Sequence, residues 1–498
     1  MALLQGAESG SRAAEAAKSD GRPAVREASG FEAVLGPLIQ TMPLTLEPGG
    51  HGLEAVGPFY YEQETEEGRL WAIPPIVSTF TSHDRERGEH FVLPPVFSYR
   101  KYGDDWRWQL GQWINRSHVE GIDDNDAKRF NLFPFFFYQD APDPKRDYWA
   151  LFPLYGNLKG RMFRDEAEFV AFPLWLESRK GTMTTRNVAF PFVHFRDGPG
   201  LDGWQFWPLA GHEHQDPSTR TNVLDEVEVV GGHDKTFALW PMWFRNRTGL
   251  GTENTNRVDA VLPFYYGERS PQRDHTSVMW PFVSWTDDRG EKFRQWNAPW
   301  PLVGFAHGEG KTLKRVLPFF SVGHTKTLQA ETYMWPLYRR RRLTTEAFER
   351  DRWQVGVFLY SDQTDRTVGT DKFSRRVEMW PFFHWTRDPE GRERLQALTV
   401  IEPFGRGTGM RRNWSPLWSI WRSESHPATR ASSQSLLWNL YRREATPERT
   451  KGSLLFGLVQ YQKTSAGTRW RWFHVGPRLD ATQPEPPAVS ENDVSTHR

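Results

Sequence analysis

The residues of this chain best suited to chemistry are histidines. Gly211-His212-Glu213-His214-Gln215-Asp216 is followed by Gly231-Gly232-His233-Asp234. Two imidazoles one residue apart lie on the same side of an extended strand. His233 and Asp234 on a returning strand would complete a ligand set for a divalent metal, and with it a metal-dependent hydrolase. The same residues also suit polar turns at strand ends. The expectation is therefore no resident cofactor, with His212, His214, His233 and Asp234 as the ligands if a metal is held.

A second chemistry is stacking of indole rings on sugars. Trp108, Trp113, Trp204 and Trp207 stand beside the two places where the chain departs from its regular pattern, and they are the candidate ligand-binding residues. Asp123-Asp124-Asn125-Asp126 offers hard oxygen ligands but lacks the glycine and terminal glutamate of a calcium loop, and reads as a solvated turn. Gly308-Glu309-Gly310-Lys311-Thr312 has Phe305 where a phosphate loop needs its first glycine. Gly405-Arg406-Gly407-Thr408-Gly409 lacks the strand–helix setting of a dinucleotide site. Neither a Gly-x-Ser-x-Gly elbow nor a His-Glu-x-x-His pair occurs. Arg339-Arg340-Arg341-Arg342 reads as a solvated strand end.

The elements that must position these residues are set by one recurring phrase, Trp/Leu-Pro-Leu/Phe-aromatic. Examples are Met279-Trp280-Pro281-Phe282 and Met379-Trp380-Pro381-Phe382. Pro134, Pro153, Pro173, Pro191 and Pro208 stand 19, 20, 18 and 17 residues apart. Repetition at such a period marks a repeat architecture. Between the phrases lie polar turns such as Thr286-Asp287-Asp288-Arg289-Gly290-Glu291, and the apolar stretches are rich in Val, Phe, Tyr and Trp. The pattern predicts an all-β fold of about twenty tandem antiparallel strand repeats of 17–22 residues.

One strand per repeat is expected, broken by its proline into two short arms. In Asn187–Arg196, a strand running through Pro191 would carry Val188, Phe190, Phe192 and His194 on one face. Ala189, Pro191, Val193 and Phe195 would fill the other, making both faces apolar. That predicts stacked sheets in a propeller-like or solenoid-like multi-sheet assembly, with a large closed β-barrel as the alternative. By composition, residues 1–30 form a disordered leader and 31–57 a transition. The β-repeat assembly runs over 58–476, with insertions near 106–128 and 211–236, and 477–498 form a disordered tail.

Composition narrows the function classes. The chain has no cysteine, which removes disulfides, thiolate metal sites and thiol nucleophiles. Its 63 basic and 62 acidic residues nearly cancel, so no global field favours nucleic acid. No run of residues is long and apolar enough for a transmembrane helix, leaving a barrel as the route of membrane association. The start, Met1-Ala2-Leu3-Leu4-Gln5-Gly6, carries no secretory signal pattern, so a cytoplasmic setting stays open.

The repeated phrase, with Ser435-Leu436-Leu437-Trp438-Asn439-Leu440-Tyr441-Arg442 near the end, resembles tandem-repeat proteins of the Gram-negative cell envelope that have no assigned activity. The resemblance spans most of 58–476. It implies an envelope setting, periplasm or outer membrane, and carries over no site residue. The expected function is a non-catalytic all-β repeat scaffold or binding protein of the bacterial cell envelope, recognising glycan or another protein. The alternatives are a large outer-membrane β-barrel protein and a metal-dependent hydrolase on a propeller.

Overall fold

Proline decides where each strand stops. In the computed structural model, which describes residues 38–119, 127–221, 227–402 and 407–473, the X-Pro bonds of the motif are cis. They include Phe133-Pro134, Trp207-Pro208, Trp280-Pro281 and Trp380-Pro381. A cis proline at the third position makes a type VI turn. Accordingly, Phe282 N–H donates to Met279 O at 2.9 Å around Trp280-Pro281. The proline therefore ends a strand instead of kinking it, and each repeat is a hairpin of two strands of about six residues.

The hairpins join into one antiparallel meander of 42 strands. Among the described residues, Gln40–Pro43 and Gly467–Trp472 each pair on one side only, so the sheet is open. The expected all-β repeat is present. The multi-sheet propeller is replaced by a single sheet plus one small hairpin, Ser218–Thr221 with Val227–Val230, and the closed-barrel alternative is not what forms. The leader 1–30, residues 31–37 of the transition, the Asp123–Asp126 turn and the tail 477–498 lie outside the described residues.

Register near the proline turns repeats from junction to junction, with a bulge at Gly232/His233 farther from the turn. Trp175 faces Val188, Val188 faces Val193, and Val193 faces Phe206. Equivalent positions therefore form rows that cross the whole sheet at constant height, with every proline turn on one edge. These turns are also bonded to each other. The N–H groups of Trp240, Trp280 and Trp335 donate at 2.7 Å to the carbonyls of Pro208, Pro263 and Pro318, two strands back.

The expected face alternation fails for the same reason. Residues 189–192 are a turn, so Val188 and Val193 share one face while Asn187 pairs with His194 on the other. In the first expected insertion, near 106–128, the described part is regular strand, and residues 120–126 lie outside the described residues. Asp105–Leu110, Ile114–Val119 and Ala127–Leu132 are regular neighbours, with Gly111-Gln112-Trp113 replacing the proline turn. The second insertion is the Ser218–Val230 hairpin.

Burial is inverted relative to polarity. One row of the inward face holds Asn187, Ser277, Ser284 and Asn297, all at most 5% exposed. Cross-strand bonds satisfy such groups, including Asn297 Nδ2 to Ser284 Oγ at 3.0 Å and Asn131 Nδ2 to Asn115 Oδ1 at 2.8 Å. An apolar patch interrupts that face where Tyr148, Ala150, Leu158, Ala167 and Phe169 cluster.

The far ends of the meander meet. Helices α1 (Thr408–Asn413) and α2 (Ser415–Trp418) interrupt the connection between Glu393–Ala397 and Trp421–His426. Asn413, fully buried, donates to Ser78 Oγ at 2.6 Å, and Arg412 reaches Glu89 at 2.7 Å. Trp414 Nε1 donates to Pro94 O at 2.9 Å. Beside them Arg422 grips Glu54 through two bonds of 2.6 and 2.8 Å, and Asn439 Nδ2 adds a third at 2.5 Å. This clasp ties sequence positions more than 300 residues apart.

Burial alone would raise the Glu54 carboxyl, but Arg422, Arg442 and Asn439 outweigh it and hold it below its ordinary value. Glu54→Gln is expected to cost about 3 kcal/mol by leaving Arg422 without its charge partner, seen as faster proteolysis of the clasp and a lower Tm. Because the folded carboxyl titrates lower than the unfolded one, the clasp's contribution is full above the ordinary value near 4.5 and falls as pH drops below it. Thermal melts across that acid range in the native chain and in E54Q would check this; parallel curves would contradict it.

Candidate binding site

The predicted metal ligands do not converge. His212 and His214 lie on the outward face of Ala210–Gln215, while Glu213 points inward between them. His233 faces Gln215, which places it on the inward face, and Asp234 faces His214 on the outward one. His233 Nε2 meets Glu213 Oε1 at 2.6 Å. His212 Nδ1 lies 3.0 Å from Thr236 Oγ1, and His214 lies between Asp216 at 3.2 Å and Asp234 at 3.6 Å. Among the described residues no group of three His, Asp or Glu side chains has the arrangement to hold a metal ion. Strand alternation leaves His212, His214 and Asp234 on one face and sets His233 on the other.

The inward partner of this region is an ion network. Glu213 contacts Arg196 at 2.7 Å, His233 and Lys235. Burial would raise its carboxyl, but Arg196, His233 and Lys235 together lower it to about 2. The Arg339–Arg342 run alternates likewise: Arg340 and Arg342 bind Asp351 at 2.7 and 3.2 Å on one face, and the other two arginines lie opposite. These arrangements pair the charges across neighbouring strands of the ribbon.

The four tryptophans chosen from sequence are also dispersed. Trp108 and Trp204 occupy the same outward row, but many strands apart. Trp113 sits 69% exposed in a turn on the proline edge, and Trp207 packs on Phe192 with centroids 6.2 Å apart on that edge.

The same outward row does gather three rings elsewhere. Trp285 faces Trp296, Trp296 faces Phe305, and Phe305 faces Lys314 across consecutive strands from Val283–Asp288 to Lys311–Val316. Trp296 and Phe305 stack at 6.2 Å and 17°. The three rings are 47%, 45% and 44% exposed and line a shallow cleft of about 760 Å³. Arg269, Asp274, Asp287, Arg294 and His307 stand along one side, with Arg294 3.3 Å from Asp287, and Lys314 closes the end. A cleft with an aromatic floor and a polar rim suits a ligand with one apolar face and a hydroxyl-rich edge. Sequence reading missed it because Trp285 and Trp296 fall opposite each other only once the hairpin turn between them is placed.

The fold and this surface define the chain as an open, single-sheet β-repeat protein with an outward aromatic cleft. No protein-family model matches it, and no curated protein matches its sequence.

Glu213→Gln should leave Arg196, His233 and Lys235 without their shared anion and cost about 1–3 kcal/mol, read as a lower denaturant midpoint. The native network keeps its contribution above the ordinary carboxylate value of 4.5 and loses it as pH falls toward about 2. A midpoint unchanged in E213Q at neutral pH would contradict this role.

Proposed function

We propose that this protein is a non-catalytic β-repeat binding scaffold of the bacterial cell envelope that recognises glycan. The observation that carries the reading is the cleft over Trp285, Trp296 and Phe305. Its rings present flat apolar surface at adjacent strand positions, and Asp287, Arg294, His307 and Lys314 offer donors and acceptors around it. A pyranose has matching chemistry, with C–H groups on its faces and hydroxyls at its edge. Charged side chains that accept or donate to hydroxyls make stronger hydrogen bonds than neutral ones. Ring stacking and hydrogen bonding are the chemistry that supports the binding reading of this cleft. The envelope setting rests on the resemblance of the repeat.

An array of neutral and acidic oligosaccharides, followed by calorimetry on the best ligand, tests this. Trp296→Ala and Trp285→Ala are each expected to weaken binding at least tenfold, while Trp113→Ala, far from the cleft, leaves it unchanged. Silence across the array, or equal binding by W296A and the native chain, would overturn the proposal.

A further inference from the structure

The residue after the motif proline is largely exposed, although Phe192 packs on Trp207. Met242, Phe264, Phe282, Leu302, Phe319 and Leu337 stand in successive turns of one edge and are 47–65% exposed. The aromatic before the proline is packed in part: Phe152 meets Phe172 at 5.2 Å, and Phe172 meets Phe190 at 5.7 Å, while Trp240, Trp280, Trp300 and Trp335 stay 43–64% exposed. Both halves of the motif therefore present apolar surface at this edge. The tight turns of this edge carry no charged side chain among the described residues.

The outward row next to these turns is apolar throughout. It runs from Ile73 and Val77, through Val261 and Tyr265, to Val459 and Trp472, made of aliphatic and aromatic side chains with tyrosine hydroxyls as its polar atoms. Many of its members are about 40% exposed, including Val170, Val188, Val278 and Met379. At about 4.8 Å per strand the band runs on the order of 180 Å. An apolar strip of that length far exceeds the patch of a few hundred Å² usual on a soluble monomer.

Chemistry changes in order away from the edge. Beyond the apolar row comes the row of Trp285 and Trp296, mixed with charged residues such as Arg340. The next outward row holds Asp287, Arg294 and Arg342. The opposite edge is built mainly of polar turns such as Arg289-Gly290-Glu291-Lys292, with exposed Met162, Phe163, Val368 and the valines of Val227–Val230 as scattered apolar residues. Turns and apolar row together reach about 15 Å, half of a hydrocarbon core of about 30 Å.

We infer that this edge inserts into one leaflet of a lipid bilayer, with the ribbon standing on the membrane and its aromatic row at the headgroup level. A lipid phase fits the strip because it needs no fixed polar partners over that distance, whereas a protein groove would need its own unbroken apolar counterpart. Charged residues on the outward face beyond the apolar band limit insertion to one leaflet. Among the described residues no helix is long and apolar enough to cross a membrane, so the edge is the route this surface offers.

The test is flotation of the full chain with phosphatidylcholine vesicles at about 0.5 M salt, where electrostatic attraction is screened. Binding should persist there, and vesicles with brominated acyl chains should quench tryptophan emission. Substituting Met242, Phe264, Phe282, Leu302, Phe319 and Leu337 together by Ser should lower the vesicle-bound fraction at least tenfold without changing the far-ultraviolet dichroism. The smaller F282S/F319S variant should show a partial loss if the larger one fails to fold. Glycan binding by the cleft should survive in both, which separates this inference from the one above. Absence of flotation, loss of binding in salt, unaltered binding by the Ser variants, or a lipid-free dimer abolished by them would each overturn it.

Discussion

The constraint on which this structure depends is the bonding of one proline turn to another. Proline has no N–H, so where one turn bonds to the turn before it, the donor is the residue ahead of the proline. Trp240, Trp280 and Trp335 each give that donor to the proline carbonyl two strands earlier. A one-residue slip in any hairpin would break this edge ladder and send a set of side chains to the wrong face. Register is therefore locked twice, by strand pairing and by the turns. The same height is kept over the whole meander because every repeat answers to its predecessor.

Constant register sorts the side chains into rows, and the rows have different tasks. Several inward positions near the turns hold small or amide side chains that bond across strands, as Ser284 and Asn297 do. Outward positions at the same end hold Val, Leu, Tyr, Phe and Trp that nothing in the described fold covers. Such an arrangement cannot be explained as an ordinary core, because burial here follows hydrogen-bonding capacity more than hydrophobicity. It makes sense when the outward apolar band is matched to surroundings of its own kind, the reasoning behind the proposed leaflet contact. The proposed glycan cleft sits at the boundary where that band gives way to charge.

The clasp supplies what a meander lacks. Nearly all other contacts join neighbouring strands, so the sheet by itself has no means of bringing its ends together. α1 and α2 provide the tether, with a fully buried Asn413 against Ser78 and the Arg422–Glu54 pair beside it. Its charges are held in a largely dry setting, where each depends on the other for its stability.

Sequence alone determined the all-β class, the hairpin-length period and the absence of cysteine chemistry, because spacing, turn residues and composition are local properties. It did not determine which side of a strand a residue faces. Reading a strand through Pro191 put Val188 with His194, whereas the cis turn puts Val188 with Val193. Unplaced hairpin register likewise hid the pairing of Trp285 with Trp296 and made His212, His214 and His233 look like one ligand set. The tertiary structure decided those matters, along with the clasp, whose partners are separated by most of the chain. Facing is fixed by the hydrogen-bonded register of neighbouring strands, and distant contact by how many such strands intervene; neither is written in any short stretch of residues.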